Sequence, residues 1–96
     1  MYVYAIGNED GPVKIGITNK LGGRLRAIRT GCPIPIEIIH AAKMPSRSRA
    51  RRMEAVIHAA YRENRLCGEW FSIDADQAWE AIDTAIETAR AFDEAL

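Results

Sequence analysis

Tyr2-Val3-Tyr4-Ala5-Ile6-Gly7, then Asn8-Glu9-Asp10-Gly11-Pro12, then Val13-Lys14-Ile15-Gly16-Ile17-Thr18: the chain opens as strand, turn, strand. The first run is β-branched and aromatic, as strands are. The second is dense in residues that form turns. The third alternates, with Val13, Ile15 and Ile17 on one face and Lys14, Gly16 and Thr18 on the other. A connection of this length is common between hairpin strands. Gly16 is the odd member of the second strand. A glycine inside a strand weakens it unless another group must approach the backbone closely.

Outward from the hairpin, Asn19 is placed to cap a helix, with Leu21, Leu25 and Ile28 as its apolar stripe and Gly31 as its stop. Cys32-Pro33-Ile34-Pro35 is extended, because each proline disfavours helix in the residue before it. Residues 36–42 read as a third strand with Ile36, Ile38 and His40 on its core face. Ser46 or Ser48 opens the longest helix, expected to reach about Asn64, with Ala50, Met53, Val56, Ile57, Ala60 and Tyr61 turned inward. Leu66-Cys67-Gly68 breaks the chain, and Glu69–Ile73 is a short aromatic strand or extended segment. Asp74 and Gln77 resemble a capping box for a final helix over about 75–93, whose apolar stripe is Trp79, Ile82, Ile86 and Ala89. The fold class this predicts is α+β: a small, mostly antiparallel three-stranded sheet flanked by helices, with an added C-terminal helix.

The chain has 96 residues, 48% hydrophobic, which fits one small globular domain and argues against disorder. Its formal net charge is zero, which on its face excludes a basic nucleic-acid binder. The zero is a cancellation: residues 1–73 carry a net +6 and residues 74–96 a net −6. Arg47, Arg49, Arg51 and Arg52 crowd the start of the long helix, where cations oppose the helix dipole, so a polyanionic partner explains them better than stability does. The final helix carries Asp76, Glu80, Asp83, Glu87 and Glu94 as one acidic stripe. The two segments therefore divide as residues 1–73, the functional domain, and residues 74–96, an acidic helix packed on the same domain or on a second subunit. No stretch approaches the roughly 20 apolar residues of a membrane span, and the N-terminus lacks the features of a signal peptide, so a cytoplasmic location is expected. Cys32 and Cys67 are read as lone thiols, and a zinc site made of them with His40 and His58 matches no usual ligand spacing.

Taken one at a time, Tyr4, Lys14, Gly16, Arg24 and Glu54 each have a bland reading as strand aromatic, surface cation or helix-edge charge. Their order is the distinctive feature. Tyr2-Val3-Tyr4 and Lys14-Ile15-Gly16 stand where the GIY-YIG endonuclease superfamily has its two name triplets. Arg24 follows Gly16 by eight residues, and Glu54 falls on the next long helix. With Glu54-Ala-Val-Ile-His58, Tyr61, Arg65 and Gly68-Glu69-Trp70-Phe71, residues 1–73 resemble that superfamily's short bacterial and phage branch. Lys14 replaces the second tyrosine of the motif, and Tyr2 replaces the glycine of the first.

The resemblance implies hydrolysis of DNA phosphodiester bonds with one divalent cation, Mg²⁺ or Mn²⁺, on Glu54. It implies Arg24 on the phosphate oxygens and Tyr4 as base toward the attacking water. Lys14 would depress the Tyr4 pKa or clamp a phosphate, and His58 would orient Glu54 or touch a phosphate. Gly16, Arg26, Arg29, Arg47, Arg49, Arg51 and Arg52 are the expected DNA-binding positions, and DNA the expected partner. Two other readings stand beside it: a nuclease-derived module that binds nucleic acid without cutting, and an interaction module docking a protein or a second copy through the acidic helix. A further possibility is that this helix covers the basic surface as a DNA mimic.

Overall fold

The computed structural model describes residues 1–95, with side chains through residue 91. The opening hairpin forms as read: β1, Tyr2–Gly7, pairs antiparallel with β2, Val13–Thr18. Asn8 makes the turn with its carbonyl accepting from the Gly11 N–H and its side-chain oxygen from the Asp10 N–H. Gly11 adopts a positive φ of 86°, a conformation few side chains tolerate. Helix α1, Leu21–Thr30, follows, then strand β3, Glu37–Lys43, and helix α2, Arg47–Ala60. Short strands β4, Arg65–Cys67, and β5, Trp70–Phe71, precede helix α3, Ala75–Ala95.

The sheet has five antiparallel strands in the order β3-β1-β2-β5-β4, not three. The expected helix break at Leu66-Cys67 is itself a strand, because α2 stops at Ala60 and a single 3₁₀ turn, Arg62–Asn64, returns the chain to the sheet edge. Gly68, at a φ of 54°, then turns β4 back into β5. Strands of three and two residues are too short to show a periodicity in sequence.

β3 departs from the expected alternation. Its register against β1 slips between Ala5 and Ile6, so Ala5 faces His40 while Ile6 faces Ile38. A bulge of this kind inserts one residue and turns the following side chains to the other face. Ile36 packs with Tyr4 and Ile6 as expected, Ile38 is 38% exposed, and His40 sits on the opposite side of the sheet.

The two faces are covered unequally. On one, α1 lays Leu21, Leu25 and Ile28 over Tyr4, Ile6 and Ile36, and packs mainly on β1 and β3. On the other, α2 and α3 enclose the main core of Val3, Ala5, Val13, Ile15, Met53, Ile57, Phe71 and Ile82. Cap details differ from the sequence reading at α1: the N-cap is Lys20, with no side-chain cap bond, and Thr18 Oγ1 accepts from the Lys20 N–H. At α2, Ser46 is the cap and accepts from the Arg49 N–H at 3.1 Å. The capping box of Asp74 and Gln77 is formed in both directions.

α3 buries Ala78, Ala81, Ile82 and Ala85 within this same core. Trp79, expected in that stripe, is 46% exposed and stacks on His40 with ring centroids 3.6 Å apart. Within the acidic stripe, Asp83 binds His40 Nε2 at 3.0 Å and Glu80 lies near Tyr61. Glu94 falls outside the described side chains. Because Ile82 is fully buried between α3 and the sheet, Ile82→Ala should cost about 2–5 kcal/mol of stability, read as a lowered urea midpoint with an unchanged slope.

Candidate active site

The site starts from the pairing of Tyr4 with Gly16 across β1 and β2. On its other side Tyr4 faces Ala41, so small residues flank the ring in both directions. A Cβ on Gly16 would lie 2.6 Å from the Tyr4 hydroxyl oxygen, 2.8 Å from Cζ and 3.1 Å from Glu69 Oε2. The missing side chain is therefore what lets the phenol lie across β2 and reach the groups beyond it. Arg24, carried in by α1, donates from Nε to the Tyr4 hydroxyl at 3.1 Å.

Glu69, just before β5, collects the remaining charges. Its Oε1 lies 3.4 Å from Lys14 Nζ and 3.9 Å from Arg24. Its backbone carbonyl accepts from the Ile15 N–H, which fixes the residue against β2. Glu54 and His58, one turn apart on α2, complete the group. His58 Nε2 donates to the Ile15 carbonyl at 2.9 Å; a carbonyl only accepts, so Nδ1 is left with the free lone pair. The imidazole also leans on Phe71, ring centroids 4.9 Å apart.

Glu54, His58 and Glu69 each offer one ligand atom, and these atoms lie within 4.8 Å of one another. Burial, then the negative charge of Glu69, push the Glu54 carboxyl above the ordinary carboxylate range, and His58 only partly offsets them. Two carboxyl groups held this close disfavour the doubly ionised state, and a divalent cation relieves that strain as a proton does. The donor set is chemically compatible with such an ion: oxygens suit Mg²⁺, and the added imidazole nitrogen admits Mn²⁺. It offers three donors where the sequence reading had Glu54 alone.

Burial also raises the Tyr4 pKa, and the hydrogen bond and charge of Arg24 only reduce the rise. A cation does pull it down, as expected, but that cation is Arg24, not Lys14, and burial outweighs it. Tyr4 has no exposed surface here, being roofed by Arg24 and Glu69.

Tyr4, Lys14, Gly16, Arg24, Glu54 and His58, all named from the sequence, converge here. Glu69 was missed as a site residue. Its signal was local: an acid beside Gly68, opening the aromatic run Trp70-Phe71, where a core strand has no use for a charge. The remaining arginines divide. Arg51 and Arg47 share a face of α2 with Glu54 and His58, and Arg51 lowers the Glu54 pKa. Arg26 and Arg52 are exposed. Arg29 spends Nε and Nη2 on the Ile36 carbonyl, at 3.2 and 3.0 Å, tying α1 to the start of β3. Arg49 lines a groove with Asp83 and Arg90 between β3 and α3 instead. The four-residue zinc alternative does not assemble: Cys67 is exposed on β4, Cys32 packs beside Ile36, and His40 is bound to Asp83.

The site is thus a Tyr–Arg–Glu cluster laid across the first hairpin of an antiparallel sheet with helices on both faces. Comparison with known families matches residues 1–87 to the T5orf172 domain, and the chain belongs to that GIY-YIG-related family. No curated protein and no solved structure gives a significant match. No helix among the described residues is long and apolar enough to cross a membrane.

Two outcomes follow from this geometry. Gly16→Ala should cost about 1–3 kcal/mol by overpacking against the Tyr4 ring, measured by urea unfolding. Glu54 has a folded pKa above its ordinary 4.5, so its contribution to stability is complete below that value and is lost as pH rises through the folded pKa. Glu54→Gln should therefore raise Tm in EDTA at neutral pH and give no gain in acid.

Proposed function

We propose that this protein is a divalent-metal-dependent endonuclease of the short bacterial and phage GIY-YIG branch, hydrolysing DNA phosphodiester bonds in the cytoplasm. The observation that carries the reading is one convergence: the ligand atoms of Glu54, His58 and Glu69 lie together beside the hydrogen-bonded Tyr4–Arg24 pair. The family assignment supports it at the level of a nuclease-like domain.

Glu69 sits between Lys14 and Arg24, the seat a phosphate anion would take. A scissile phosphate entering it offers the same two cations a stronger anion, and the planar Arg24 guanidinium can hold two non-bridging oxygens at once. When bound, Mg²⁺ or Mn²⁺ on Glu54, His58 and Glu69 would supply positive charge for the phosphoryl group and the leaving 3′-oxygen. In hydrolysis the water oxygen bonds to phosphorus, the P–O3′ bond breaks, and the leaving oxygen gains a proton from solvent. Tyr4, as a phenolate favoured by the charge of Arg24, would take the proton of the attacking water. His58 anchors α2 to β2 through the Ile15 carbonyl and so sets the height of Glu54 over the strand edge.

The burial of Tyr4 favours a second reading, a domain that binds DNA without cutting it. A plasmid-cleavage assay with Mg²⁺ or Mn²⁺ separates the two. Wild type should nick or linearise DNA, and Glu54→Ala, Arg24→Ala and Glu69→Ala should each lose about 10²-fold or more of the rate. Tyr4→Phe should remove the rise in rate with pH that a raised phenol pKa predicts, since general-base work contributes about 10²–10⁴-fold. Salt-dependent binding with no cleavage under either metal would establish the binder instead.

A further inference from the structure

α1 packs mainly on β1 and β3, to one side of the face that β2 and β5 share with them. There a cleft of about 460 Å³ runs between the C-terminal end of α1 and the β2–β5 pair, within the range of small-ligand sites. Pro12, Ile28, Pro33, Ile34 and the half-buried Trp70 give it apolar walls, and Lys14 is its single charge. Trp70 is the partner of Lys14 across the ladder, and Lys14 Nζ lies 5.6 Å from the centre of its indole. The same Nζ is 3.4 Å from Glu69 in the active site.

The cleft is thus an aromatic, apolar slot joined to the phosphate seat through one shared cation. We infer that it receives an unpaired nucleobase of the DNA strand, next to the phosphate held by Lys14 and Arg24, so that the preferred substrate has a single-stranded or splayed nucleotide at the cleavage point. The occupant follows from the chemistry of the two ends. An indole presents a π-face that any base can stack on, and a lysine beside it pairs with the phosphate attached to that base. A stacked base inside duplex DNA cannot reach the slot without leaving its helix, whereas an unpaired one enters at little cost. Lys14 in place of a second motif tyrosine fits this arrangement, since it serves both the slot and the seat.

The inference rests on the nuclease reading, and the test keeps the two apart. The Trp79→Phe protein, whose only indole is Trp70, is titrated with an oligothymidylate and with an abasic oligonucleotide of equal length and charge, in EDTA and again with calcium. Stacking should quench the indole emission with thymidylate alone and tighten its binding roughly 5- to 100-fold over the abasic strand. Trp70→Leu, checked for folding by circular dichroism, should bring both strands to the abasic affinity by anisotropy. Equal affinities for the two strands, or no binding of either, overturn the base slot. If DNA is still cleaved in that case, the nuclease reading survives alone. A thymidylate-selective quench in a protein that cuts no DNA supports the slot and removes the nuclease.

Discussion

The close approach of the Tyr4 ring to the backbone of Gly16 governs the architecture of the site. Only a strand with no side chain at that point lets the phenol cross β2, and only a phenol reaching that far meets Arg24 from α1 and lies beside Glu69 from the turn before β5. Three elements distant in sequence are thereby held to one set of atoms. The ladder bonds that surround the pair fix its height, so the charged groups inherit the rigidity of the sheet. Tyr4 and Lys14 on strands and Arg24 on a helix are held by regular elements, which keeps functional side chains within a narrow range of geometry.

The electrostatics follow from that compression. Two carboxyl groups, two cations, a phenol and an imidazole share one stretch of a hairpin, running from the acids Glu54 and Glu69 to the cations Lys14 and Arg24, with Tyr4 bonded to Arg24. Lys14 and Arg24 are held by an internal anion, and Glu54 is left with its carboxyl pushed toward the neutral form. The strain is concentrated on the one carboxyl group that the sequence reading had marked as the metal ligand. Sites where environments push titratable groups apart in this way are places where function is found more often than chance predicts.

Much of this was legible in residues 2–18, whose alternation and turn chemistry specify a hairpin with little ambiguity, and the helices followed from their apolar stripes and from Ser46. The glycine at position 16 announced a close approach, though not what approached. What the sequence hid was short or non-local. β4 and β5 are too brief for a period, and they exist because the edge of β2 needed partners. The shift of His40 to the far face depends on a register slip against β1, which no pattern within β3 records. Glu69 lay in plain sight, but its role is visible only when β5 docks on β2 and brings it over Gly16.

That same slip in β3 has a consequence for the molecule in company. β3 is the outer strand of the sheet, seven residues long, and an edge of that length offers unpaired backbone groups to any neighbouring chain. The bulge puts a kink and added twist at its middle, and Glu37 and Lys43 set opposite charges at its two ends. A strand bent at the centre and charged at both tips is a poor template for a second one. The irregularity that defeated the simple alternation of β3 therefore also makes this edge a poor place for the sheet to grow beyond its own chain.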